Sequence, residues 1–121
     1  MTLGELLGHL RDLSWKMHQS VTGLDGDRSA VSLAGMREST LTWIRGVSAK
    51  LSGMTAAELE AIEITSSRGD HGNLKTLIHG PMADFLTHVG QVNSWRRMAG
   101  SPPPKARVFH GLPPESPSTT V

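Results

Sequence analysis

Three observations predict an all-α domain, a helix bundle with three long helices, a short extended connection and a proline-rich C-terminal tail. Residues 3–21 and 29–51 each repeat apolar side chains at helical spacing. A third stretch, Leu74 to Gly100, keeps the same period and carries Asp84 and His88 one turn apart. Only residues 59–73 break the pattern internally, and the prolines after Gly100 rule out a further helix.

The first helix opens at Thr2-Leu3-Gly4-Glu5, which has the T-x-x-E form of a capping box. Leu3, Leu6, Leu7, Leu10, Leu13, Met17 and Val21 form its apolar stripe, and Gly23 with Asp25-Gly26-Asp27 ends it. His9 lies on the flank of that stripe, within reach of a helix partner, whereas His18 reads as a solvated residue of the polar side. The second helix, about Ser29 to Leu51, presents Met36, Thr40, Trp43 or Ile44, Val47 and Leu51, although Gly35 and Gly46 lower its propensity. Ser52-Gly53 stops it, and Thr55-Ala-Ala-Glu58 caps one further turn.

Ile62-Glu63-Ile64-Thr65 alternates like a short strand, and the turn-rich residues 66–73 predict an extended connection or a small hairpin, with His71 in the loop. Arg68-Gly69-Asp70 spells an adhesion tripeptide, a match too short to carry meaning. In the third helix Pro81 has no amide hydrogen to give the carbonyl of Leu77, so a kink or restart is expected at Gly80-Pro81. Set on a straight helix, Leu77, Pro81, Asp84, His88, Val92 and Trp95 form one stripe, edged by Leu74, Phe85 and Val89. His79 falls on the other side, as a surface residue. Beyond Gly100, Val108, Phe109 and Leu112 are expected to fold back, giving a domain over 1–112 and a disordered tail over 113–121.

Composition narrows the function. The chain of 121 residues is one domain's worth, 37% apolar and 19% charged, with no tyrosine. A formal net charge of +1 gives no global argument for nucleic acid or an anionic membrane. Arg96, Arg97, Lys105 and Arg107 read as a solvated surface that also suits the negative end of a helix dipole. Cysteine is absent, which excludes disulfides, thiolate metal sites and a cysteine nucleophile. The N-terminus has no signal-peptide pattern and no stretch approaches the roughly 18 apolar residues of a membrane span, so a cytoplasmic protein without a membrane partner is expected.

Asp84 and His88 are the candidate site. A carboxylate and an imidazole on an apolar face are costly unless paired, and at this spacing they either form an ion pair or close on a common proton or metal ion. Trp95, on the same stripe, is either a core aromatic or the wall of an adjacent pocket.

The run Ile78-x-Gly80-Pro81-x-Ala83-Asp84-x-x-x-His88-x-Gly90-Gln91-Val92-x-Ser94-x-Arg96-Arg97-x-x-Gly100-x-Pro102 resembles the C-terminal metal-helix motif of the DinB-like (DinB/YfiT) superfamily. There a His-x-x-x-His-x-Gly-Gln run supplies two of three ligands to a divalent metal; one branch has Asp in place of the first histidine and ends in Arg-Arg-x-x-Gly-x-Pro, as here. Thr2-Leu3-x-Glu5-Leu6-Leu7-x-His9 is similar to the segment that carries the third ligand on the family's second helix. The resemblance covers about residues 2 to 112 and is most specific over 78–102. It implies His9, Asp84 and His88 as the ligand triad and Zn²⁺, Ni²⁺, Fe²⁺ or Mn²⁺ as the ion, since mixed N/O ligands do not choose sharply. His79 departs from the branch's usual Asn.

Implied activities are thiol-dependent S-transfer or isomerisation with a low-molecular-weight thiol, or metal-dependent hydrolysis, on a small-molecule substrate the sequence does not name. The family's first helix has no counterpart before Thr2. A bundle lacking one wall exposes its apolar stripes, which implies a shortened form or a homodimer. The alternative of another class is a metal-free helical interaction or dimerisation domain without catalytic activity.

Overall fold

The computed structural model describes residues 1–29, 31–66 and 68–104. It is mostly helical, and the chain packs as two compact units, Met1–Val89 and Gly90–Val121. The expected fold-back of Val108, Phe109 and Leu112 and the tail over 113–121 lie outside the described residues.

Helix α1, Leu3–Thr22, begins as its capping box predicts: Glu5 N donates to Thr2 Oγ1 at 3.1 Å and Thr2 N donates to Glu5 Oε2 at 2.9 Å. Gly23 ends it in the left-handed conformation, φ 72°, and its amide donates to the Gln19 carbonyl. Leu6, Leu10, Leu13 and Met17 are buried as expected, but so are Arg11, Ser14 and Trp15. Helix α2, Leu33–Ser52, packs on that second, more polar face. It starts later than Ser29 because Ser32 is the cap, its hydroxyl accepting from Gly35 N.

The connection between the two helices is folded onto them. Arg11 donates to the carbonyls of Asp27 and Arg28 at 3.2 and 3.4 Å and lies 5.5 Å from the Trp43 ring, while the Arg28 guanidinium sits 3.8 Å over Trp15. The hydroxyl and amide of Ser29 both donate to Asp27, holding its carboxyl below the usual carboxylate range. Because the folded value is depressed, that contribution is present above the unfolded value of about 3.9 and is lost as pH falls through the lowered one. Gly26 sits against the Trp43 indole so closely that a Cβ there would lie 2.6 Å from the ring. Gly26→Ala should therefore destabilise the protein by about 1 to 3 kcal/mol in chemical denaturation, the range for overpacking. A change below about 0.5 kcal/mol would show that this loop does not hold its place.

Helix α3, Ala56–Ala61, is the short turn capped by Thr55 and Glu58. The predicted hairpin comes next, with β1, Ile64–Thr65, antiparallel to β2, His71–Gly72, in the register Ile64 to Gly72 and Thr65 to His71. The Ser66 hydroxyl accepts from the amides of Arg68 and Asp70, and Gly69 turns the chain at φ 86°. His71 is thus a strand residue rather than a loop residue, its Nδ1 3.3 Å from Thr65 Oγ1.

The third long helix is broken where Gly80-Pro81 predicts. A four-residue α4, Leu74–Leu77, passes into a π-helical turn, Ile78–Met82, and then into α5, Ala83–Met98. Gly80 leaves helical geometry at φ −97°, ψ −105°. Met17, Val47, Ile64 and Leu77 form the buried core, with Val21, Ile44, Leu51, Ile62, Leu74, Met82 and Phe85 partly buried around it. Helix α5 itself buries no residue fully, and Trp95, at 36% exposure, is not a core aromatic.

Within the second unit, the Arg-Arg-x-x-Gly-x-Pro run closes α5. Ser101 N donates to the Arg96 carbonyl and Gly100 N to that of Arg97, the paired bonds of a Schellman cap, with Gly100 at φ 80°. Arg96 Nε and Nη2 donate to the carbonyls of Ser101 and Pro102 at 3.0 and 3.4 Å, so this arginine secures the helix end. Among the described residues no helix is long and apolar enough to cross a membrane.

Candidate metal centre

On a straight helix, Asp84 and His88 would continue the inward stripe of Leu77. The kink changes this, because Gly80 leaves helical geometry at φ −97°, ψ −105° and the helix beyond it is no longer in phase with α4. Met82 and Phe85 take the core-facing positions instead. Asp84 and His88 move to the edge of the core, with side chains 48% and 16% exposed. The expectation that they sit in the middle of an apolar face is corrected accordingly. They face α1 along its His9 flank.

There the three predicted residues meet. His88 Nε2 lies 3.1 Å from Asp84 Oδ1, and His9 Nε2 lies 3.5 Å from Asp84 Oδ2, so the carboxylate bridges the two imidazoles. The His9 and His88 rings stand edge to face, 87° apart in plane with centroids 4.5 Å apart. One ligand atom from each of the three residues falls within 4.8 Å of the others. A tetrahedral ion with bonds of about 2.0 to 2.1 Å holds its ligands about 3.3 Å apart. The two short separations go to different oxygens of Asp84, and with one ligand atom per residue the set lies within 4.8 Å, so the side chains would draw in by about an ångström to close on an ion. The set is two imidazole nitrogens and a carboxylate oxygen, a donor set suited to a borderline divalent ion. With His9 37% exposed and Asp84 nearly half exposed, one side of the cluster faces solvent, as a centre that binds a reactant requires.

The other described histidines are elsewhere. His79 is exposed, as expected. His18, expected to be solvated, is half-buried against α2, where a Cβ on Gly46 would lie 2.8 Å from its ring. The polar face Arg11-Ser14-His18 of α1 was readable as a stripe at helical spacing, but not as a buried one.

A cavity of about 240 Å³, absent from the sequence expectations, opens between α1, the hairpin and the π-helical turn, lined by Lys16, Ser20, Ile64, Arg68, Asp70, Thr76 and Pro81 among others. A second, apolar groove of about 320 Å³ runs between α2 and the start of α5, along Ile44, Val47, Leu51, Met82, Phe85 and Leu86.

Compared with known proteins, the chain matches no family model, no curated protein and no solved structure. The functional assignment therefore rests on the geometry of the cluster.

Proposed function

We propose that His9, Asp84 and His88 hold a divalent metal ion, Zn²⁺, Ni²⁺, Fe²⁺ or Mn²⁺, in a DinB-like centre serving a small-molecule substrate. The observation that carries the reading is the convergence of three ligand-type side chains from two separate helices within 4.8 Å. His9 is 75 residues from Asp84, so their meeting requires the fold and not merely local spacing. A divalent ion bound there would supply Lewis acidity that lowers the pKa of a thiol, for S-transfer, or of water, for hydrolysis. His9 and His88 would supply imidazole nitrogens to the ion and Asp84 a carboxylate oxygen, whose charge would partly neutralise the loaded site. All three act as ligands, so none is assigned as a separate base.

Elemental analysis of protein purified without a histidine tag tests the reading, with about one divalent ion per chain expected. Less than about a tenth of that, both as purified and after incubation with Zn²⁺, would sink it.

A second reading, a metal-free interaction domain, draws on the apolar groove and on Leu86 at 60% exposure beside it. A second copy of the chain covering this groove also fits the metal reading. Light scattering across a dilution series should then report a dimer that dissociates on dilution and is weakened by Leu86→Asp. A monomer at every concentration would reject this contact.

A further inference from the structure

The cavity between α1, the hairpin and the π-helical turn opens on the face of α1 that carries His9. On α1, Lys16 is seven residues beyond His9, two turns along one face, or about 10 Å. On the facing segment Pro81, at the cavity wall, precedes Asp84 by three residues. Lys16 and Pro81 thus put the cavity about two turns from His9 along α1 and about one turn from Asp84 along the facing segment.

Its chemistry is that of an anion site with an apolar floor. Lys16 and Arg68 line it, and neither makes an ion pair within 4.0 Å among the described residues. Asp70 is the one carboxylate on the wall, leaving two cations against one anion. The Asp70 side chain is engaged by the Ser66 hydroxyl at 3.5 Å, within the turn that presents Arg68. Ser20 and Thr76 add hydroxyls, and Ile64 supplies the apolar floor. At about 240 Å³ the space suits a short acyl or alkyl chain rather than a polymer or a nucleotide.

We propose that this cavity binds the anionic end of the substrate, a small molecule with a carboxylate or phosphate on a short apolar body, and points its other end along α1 toward His9, Asp84 and His88. The binding of the anion stands on the cavity alone; its role as the substrate's anchor rests on the proposed metal reading.

The test is NMR titration of the full chain with hexanoate, hexyl phosphate and, as neutral control, hexanol, in chelator-treated and Zn²⁺-loaded protein. Hexanoate or hexyl phosphate should shift the amides of Lys16, Arg68, Gly72 and Thr76 saturably, and which of the two binds more tightly distinguishes a carboxylate from a phosphate substrate. Hexanol should leave those amides in place. Lys16→Gln and Arg68→Gln, both at exposed positions, should each weaken anion binding at least about tenfold, the scale of one charged hydrogen bond. Anion binding in a chain that takes up no Zn²⁺ would uphold the cavity while the metal reading failed. No shift at these amides in either form, shifts confined to His9 and His88, or equal binding of hexanol would overturn the proposal.

Discussion

Replacing His88 by alanine is expected to abolish stoichiometric divalent-metal binding, weakening affinity for Zn²⁺ by at least about 100-fold. Loss of a group that only orients a ligand costs about 10 to 100-fold, and His88 is the least exposed of the three proposed ligands. Asp84→Ala should do the same, since its two oxygens face both imidazoles. His79→Ala, at an exposed position remote from the cluster, should retain full binding. So should His18→Ala, provided its circular dichroism shows a folded chain. Competitive titration against a chromogenic chelator gives the affinities. Because an ion at 100 times its Kd adds about 2.7 kcal/mol to stability, the wild-type melting temperature should rise with Zn²⁺ and that of His88→Ala should not. Equal loss across all four variants would mean adventitious binding.

Leu77→Ala should cost about 2 to 5 kcal/mol, a large part of the stability of a small domain. Leu77 has no exposed surface and joins the short α4 to Met17, Val47 and Ile64, so its truncation leaves a cavity where four elements meet. Leu24→Ala, in the connection after α1 and 63% exposed, should change stability by less than about 0.5 kcal/mol. Urea denaturation of the two variants provides the comparison. A Leu77→Ala protein as stable as wild type would mean that α4 and the π-helical turn do not dock on α1, and the cluster of His9, Asp84 and His88 would lose its structural basis.

The sequence by itself determined the parts set by neighbours along the chain. The caps at Thr2, Thr55 and Gly23, the hairpin around residues 66–70 and the break at Gly80-Pro81 all depend on contacts within about five residues, where residue type is sufficient cause. Asp84 and His88 were legible as a pair because they are one turn apart, whereas spacing showed only that His9 flanks its apolar stripe, and it was the resemblance to the DinB-like motif that joined it to them. Only the tertiary structure decided which faces are buried. Arg11, Ser14 and Trp15 lie inside because α2 and the folded connection pack on the side of α1 that its leucines do not mark, and Arg11 finds the carbonyls of Asp27 and Arg28 sixteen and seventeen residues away. The phase of α5 was likewise undecided by period alone. A proline announces a break but not its geometry, and the kink at Gly80 sends Phe85 toward the core and leaves Asp84 and His88 at its edge, facing His9.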